Sequence, residues 1–156
     1  MNRQIGYKPL MRIETVVAGT SSDWLALRQA LWSWPEAEHR AEIEAMLANP
    51  DAVAFLARDD QEQAIGFAEA TLRHDFVNGC TTSPAGFLEG IYVRESSRGH
   101  GVARALVEAV EAWTPGRGAC ELASDAWIDD INSHRMHEAL GFSETERVVY
   151  FRKSLD

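Results

Sequence analysis

The segment "RESSRGHG" (94–101) interrupts an apolar run that ends at Val93, and an apolar pattern at helical spacing resumes at Val102. A strand that feeds a helix through a glycine turn offers free backbone N–H groups and the partial positive charge of a helix N-terminus. Together these form a phosphate site. Two common phosphate loops are excluded by residue type. A Walker loop needs a lysine after its glycines, and none follows Gly101. A dinucleotide loop needs a third glycine, and that place holds Arg104, although Glu121 stands about where a ribose-binding acid belongs. What remains is Arg98-x-x-Gly101-x-Ala103, with Arg98 and Arg104 available as rim cations. The competing reading is a glycine-rich turn that holds no ligand.

The elements that must carry this loop can be read from apolar periodicity. "RIETVV" (12–17) alternates as a strand does. Ser21 and Ser22 offer caps to a helix bearing Trp24, Leu27 and Leu31, and Pro35 opens a second helix with Ile43, Met46 and Leu47 on one face. Residues 52–58 and 64–73 read as a hairpin, 74–85 as a long polar loop, and 86–93 as an apolar strand. The helix after the glycines carries Val102, Leu106, Val110 and Trp113 on one side and stops at "TPGRG" (114–118). A short strand (119–124), a helix (129–140) closed by Gly141 and a last strand (145–154) complete the chain. The predicted order is β-αα-βββ-α-β-α-β, one mixed α/β (α+β) domain over residues 12–156 behind a tail of residues 1–11.

Net charge narrows the partners. At −9 the chain is a poor match for nucleic acid, whose phosphates call for an excess of Lys and Arg. An acidic surface suits a cationic substrate, and it equally serves solubility alone. No apolar run reaches the ~18 residues that span a bilayer, so no membrane partner is expected. The start of the chain lacks the apolar core of a signal peptide, and two cysteines without a CxxC pair read as reduced thiols of a cytoplasmic protein, with no metal site.

With Arg98-x-x-Gly101-x-Ala103 at a strand-to-helix junction, the sequence resembles the GNAT acyltransferase superfamily, whose pyrophosphate signature is Arg/Gln-x-x-Gly-x-Gly/Ala. The flanks "FVNGC", "TSP", "FLEGIYV", "ELASD" and "HEALGFSETERVVYF" are similar to those of the aminoglycoside 6′-N-acetyltransferases, and the likeness covers roughly residues 12–153. The resemblance implies a GNAT-like domain with a mixed central sheet and a splayed acetyl-CoA slot between its central strands. The implied reaction is attack of the 6′-amine of an aminoglycoside on the thioester of acetyl-CoA, with antibiotic resistance as the outcome. A GNAT enzyme for another small amine, a polyamine or a protein terminus is the second reading. A coenzyme-binding domain without catalysis is the third.

Residue by residue, the resemblance assigns Ile91, Tyr92 and Val93 to pairing with the pantetheine arm. It assigns Arg98, Gly99, His100, Gly101, Val102 and Ala103 to the diphosphate. A bulge at Gly90 is expected to open the slot, with a backbone N–H near Ile91 facing the developing oxyanion. Glu89 is the candidate base, acting through water, or else a binding partner of the substrate ammonium. Where the superfamily carries an asparagine and, seven residues on, a tyrosine acid, this chain has Asp130 and His137. Asp130 is therefore assigned to the coenzyme, with Asn132 as its neighbouring substitute. His137 is read as the thiolate's proton donor or as an ordinary helix histidine. Trp32, Phe76, Asp125 and Glu146 join Glu89 as acceptor-site residues, with Asp125 read alternatively as the cap of the turn "DAWIDD", Glu146 as a solvated strand residue, and the two aromatics as core. Members of the family often dimerise, and the apolar "RVVYF" strand offers an edge for a homodimer.

Overall fold

The hairpin strands are apolar at nearly every position, so both of their faces must be covered. The computed structural model describes residues 11–155 and shows how. Five strands, β1 (Arg12–Thr15), β2 (Ala52–Arg58), β3 (Ala64–Arg73), β4 (Ala85–Val93) and β5 (Leu122–Ser124), form one sheet in sequence order. The first four pair antiparallel and β5 joins β4 in parallel. Helices α1 (Ser21–Leu31) and α2 (Glu36–Ala48) cover one face, where Trp24, Leu27 and Ile43 pack on Leu56 and Phe67. Helix α3 (Val102–Trp113) covers the other, with Leu106, Val107 and Val110 against Ala57, Ala68 and Leu88. Each of these buried large apolar side chains contributes about 1.5–3 kcal/mol by leaving water. Helix α4 (Ile131–Ala139) follows β5. The tail assigned to residues 1–11 lies, save for Met11, outside the described residues.

The helix-covered face of the hairpin buries charge as well as hydrocarbon. Glu69 is 3% exposed, and both of its carboxylate oxygens accept from Arg28 Nη1 at 2.7 Å while one also accepts from Trp24 Nε1 at 2.9 Å. Arg28 also pairs with Glu42 and donates from Nε to His39 Nδ1 at 3.5 Å. The opposite nitrogen of His39 donates to the Trp32 carbonyl at 3.2 Å. This chain of contacts runs from the middle of β3 to the end of α1. Burial pushes the Glu69 carboxyl up to about 7, against the opposing pull of Arg28 and Trp24.

One predicted element is corrected. Residues 145–154 alternate as a strand should, yet the described chain after α4 carries no strand. Val149, Tyr150 and Phe151 are 77%, 83% and 93% exposed, far from core values. β propensity describes how a residue fits a pleated, half-covered surface, and a strand exists only where a partner edge takes its hydrogen bonds. No ladder is offered to this segment among the described residues.

Candidate active site

The register between β3 and β4 slips once. Glu69 faces Gly90 and Ala70 faces Leu88, so Glu89 is the extra residue of a bulge. Strict alternation would turn Glu89 to the same face as Ile91 and Val93. The bulge turns it to the other face, toward α1, where Thr71 Oγ1 donates to its Oε1 at 2.5 Å and Arg73 holds both oxygens at 2.8–3.0 Å. Arg73 is itself seated over the Phe87 ring, 3.4 Å from its centroid. Gly90 serves the bulge and close packing together: a Cβ there would overlap the Trp32 ring. Trp32 lies stacked on Trp34 at 4.9 Å and 2°, with the Arg28 guanidinium 4.9 Å from its ring. It presents a flat apolar wall beside the carboxylate.

Strands β4 and β5 pair only from Gly86/Leu122 to Leu88/Ser124. Beyond that point β4 runs on to Val93 with β3 on one edge and, among the described residues, no strand on the other, which is the expected splay. The Arg94 N–H donates to Ile65 O on the β3 side at 2.8 Å. By alternation Ile91 and Val93 turn their backbone groups to the open edge. The Val93 carbonyl there accepts from Arg98 Nε at 3.0 Å. Tyr92 faces the α1 side of the core, so its side chain leaves the slot to its neighbours.

At the far end of the open edge, Gly99 and Gly101 hold φ of 77° and 84°, left-handed values that L side chains resist. A Cβ at either place would meet empty space, so no internal crowding demands glycine there. The loop is a cradle with its backbone uncovered, ending on the first turn of α3 whose N–H groups have no helical partner. Its residues therefore fit a diphosphate. Val102 is buried in the core and offers only its backbone, Ala103 is half-buried, and Arg98 and His100 are exposed. Arg104 is turned away, its Nη2 donating to Ala139 O at 2.7 Å at the end of α4. Asp130 is engaged as the N-cap of α4, accepting from Ser133 N at 3.0 Å.

Asp125 follows directly on Ser124, the last residue of β5, and is exposed. Phe76 is 80% exposed in the 74–84 loop. Thr81 and Thr82 anchor that loop by donating backbone N–H groups to Glu121 Oε1 at 2.9 and 2.7 Å. The Thr82 hydroxyl, with these backbone donors, holds the Glu121 carboxyl below its ordinary range. Thr145 sits directly over Gly79, which brings the exposed Glu146 to the same loop. A hollow of about 640 Å³ opens beside it, lined by Asp51, Arg73, Asp75 and Phe76 among others. No contact joins Phe76 or Glu146 to Glu89 directly. Among the described residues no group of three His, Cys, Asp or Glu side chains is arranged to hold a metal, and no helix is long and apolar enough to cross a membrane.

Three participants escape the sequence reading: Thr71, Arg73 and Ser124. Thr71 and Arg73 share a face of β3 by their spacing of two, but their link to Glu89 depends on the bulged register. Ser124 Oγ lies 2.8 Å from His137 Nε2 and 3.3 Å from the Leu88 carbonyl, in a contact between two elements that sequence spacing does not predict.

Residues 21–142 match the model of the acetyltransferase (GNAT) family. The chain is 51% identical over 133 residues to an aminoglycoside N(6′)-acetyltransferase type 1 of Serratia marcescens, covering 85% of this chain and 91% of that protein. It superposes on the crystal structure of an aminoglycoside 6′-N-acetyltransferase from Acinetobacter baumannii with a TM-score of 0.91 and 45% identity, covering 94% of this chain and 100% of the other. It also superposes on a structure solved with a bisubstrate analogue joining CoA to acetylneamine, with a TM-score of 0.90, 43% identity and coverage of 93% and 99%.

Proposed function

The chain belongs to the acetyltransferase (GNAT) family, and we propose that it transfers the acetyl group of acetyl-CoA to the 6′-amino group of aminoglycosides and so confers resistance to them. The observation that carries this reading is the β4 bulge, which sets a carboxylate, Glu89, at the mouth of the splayed edge beside a tryptophan wall. The relatives of high identity and near-complete coverage support the choice of acceptor. Acetyl-CoA, when bound, supplies the activated thioester. Ile91 and Val93 pair with its amide-rich arm, and the loop from Arg98 to Ala103 holds its diphosphate. The Ile91 N–H faces the oxyanion as it develops. Glu89 receives the ammonium and, through water, its proton. Asp125 and Glu146 take further ammonium groups, while Trp32 and Phe76 offer their rings to the sugars. Asp130 stands to the coenzyme as the cap of α4, and His137 serves the departing thiol.

The test is thiol release from acetyl-CoA over a panel of amines. Turnover is expected with kanamycin and other drugs bearing a 6′-amine, and none with those bearing a 6′-hydroxyl. Equal turnover of a simple polyamine, or of the 6′-hydroxyl drugs, sinks the assignment. We further propose that the protein works in the cytoplasm, where its co-substrate and two free thiols belong, and as a homodimer whose interface takes up Val149, Tyr150 and Phe151. Sedimentation equilibrium should give twice the chain mass, with Tyr150→Lys lowering it. A concentration-independent single-chain mass for the unaltered protein rejects the dimer.

A further inference from the structure

His137 does not face the splayed edge with a free nitrogen. Its Nδ1 lies 2.7 Å from the Ser133 carbonyl, which only accepts, so Nδ1 carries the hydrogen and donates. Its Nε2 is taken by Ser124 Oγ at 2.8 Å, and the ring is packed edge-on against Phe142 at 5.3 Å. Ser124, by contrast, is the last residue of β5 and pairs with Leu88, the last β4 residue before the strands part. Its hydroxyl therefore stands at the apex of the opening, between the ring and the slot.

We infer that Ser124 is the catalytic residue that protonates the departing thiolate, and that His137 acts through it as the source of the proton. This rests on the acetyl transfer proposed above. The three acceptors at hand support such a relay. With His137 in its charged form, Nδ1–H donates to Ser133 O, Nε2–H donates to Ser124 Oγ, and the Ser124 hydroxyl turns to Leu88 O at 3.3 Å. Each polar atom then has a partner, and the hydroxyl hydrogen, resting on Leu88 O at the last rung before the strands part, swings from it to the sulfur as the thiolate forms. Once that hydrogen has been given away, the serine oxygen takes one from Nε2. The ring is left neutral, with its Nδ1 hydrogen still on Ser133.

The step balances. The C–S bond breaks and its electron pair goes to sulfur. Sulfur takes the Ser124 hydrogen as Oγ takes the Nε2 hydrogen of His137. Two protons leave the acceptor nitrogen separately by way of Glu89 and water, one before attack and one as the amide forms, and solvent reprotonates His137 between turnovers. The products are the amide and free CoA thiol.

The experiment is single-turnover thiol release from acetyl-CoA with kanamycin, in H₂O and D₂O. Ser124→Ala should slow the release about 10²-fold, the lower range of general-acid effects. Michaelis constants for both substrates should stay within about threefold, and Ser124→Thr should restore most of the rate. His137→Gln should match the alanine variant, and the double variant should lose nothing further, since the two act as one unit. The unaltered protein should show a rate that bends downward against the D₂O fraction, the mark of two protons in flight. A straight line with one proton in flight, or no isotope effect, overturns the relay. So does Ser124→Ala within threefold of the unaltered rate, or losses for the two single variants that multiply in the double. An unaltered protein that releases no thiol with any 6′-amine condemns the proposed function instead. An active one with an unaffected Ser124→Ala condemns only the role of Ser124.

Discussion

Glu89→Gln should lower kcat by about 10²–10⁴-fold, the range for loss of a general base. The amide keeps the shape and still accepts a hydrogen bond from Thr71, so the bulge and the Trp32 contact at Gly90 are expected to survive. What it loses is the charge that holds Arg73 and the ability to take a proton. The structure sharpens the choice between the two roles of this residue. A purely binding carboxylate is already matched by Arg73, which grips both oxygens, so an arriving ammonium must compete with a built-in guanidinium. Binding alone therefore gains little from Glu89, and loss of binding alone raises the Michaelis constant while leaving kcat in place. The measurement is kcat and the Michaelis constants of both proteins with one 6′-amino drug. If Glu89→Gln keeps kcat within a few-fold, the amine loses its proton to solvent or another group.

Arg28→Met should destabilise the fold by about 1–2 kcal/mol at pH 8, because the variant can keep Glu69 protonated and then loses only the ionisation that Arg28 supports above pH 7. Methionine keeps most of the stem's volume between Trp24 and Trp32, so packing is largely spared and the charge is what changes. The loss should depend on pH, and its sign follows from Glu69. In the folded chain that carboxyl sits at about 7, above its ordinary 4.5, because burial disfavours its charge. A raised carboxyl stabilises the fold fully below the ordinary value, and that contribution is lost as pH rises through about 7. Below pH 5 Glu69 is protonated and needs no counter-charge, so the variant should differ little from the parent. Above pH 7 the parent pairs Glu69 with Arg28, whereas the variant must bury it alone or keep it protonated. Urea unfolding at pH 5 and pH 8 measures both limits. A loss equal at the two pH values shows that Arg28 serves only as packing. The same network reaches the Trp32 carbonyl through His39, so the variant should also raise the Michaelis constant for the drug more than that for acetyl-CoA.

Much of this molecule is legible along the chain because its determinants are local. Helices α1, α2 and α3 and the β2–β3 hairpin follow from periodicity and from Pro35 and the glycine turns, each a matter of a few neighbouring residues. The glycine loop proposed to hold the diphosphate is likewise local: two glycines that tolerate positive φ, set between a strand end and a helix start, need no distant partner. What the tertiary structure alone decided are the pairings between elements. The side of the sheet that receives Glu89 depends on a single extra residue in the β3–β4 register, since a slip of one position exchanges the faces of a strand. Whether Glu89 meets a cation of the protein's own, whether His137 sees the slot directly or through Ser124, and whether Glu69 finds Arg28 are contacts between residues 13 to 41 positions apart in sequence. The segment 145–154 shows the same rule from the other side. Its residues have every local preference for a strand, and without an edge to take its hydrogen bonds the preference stays unexpressed.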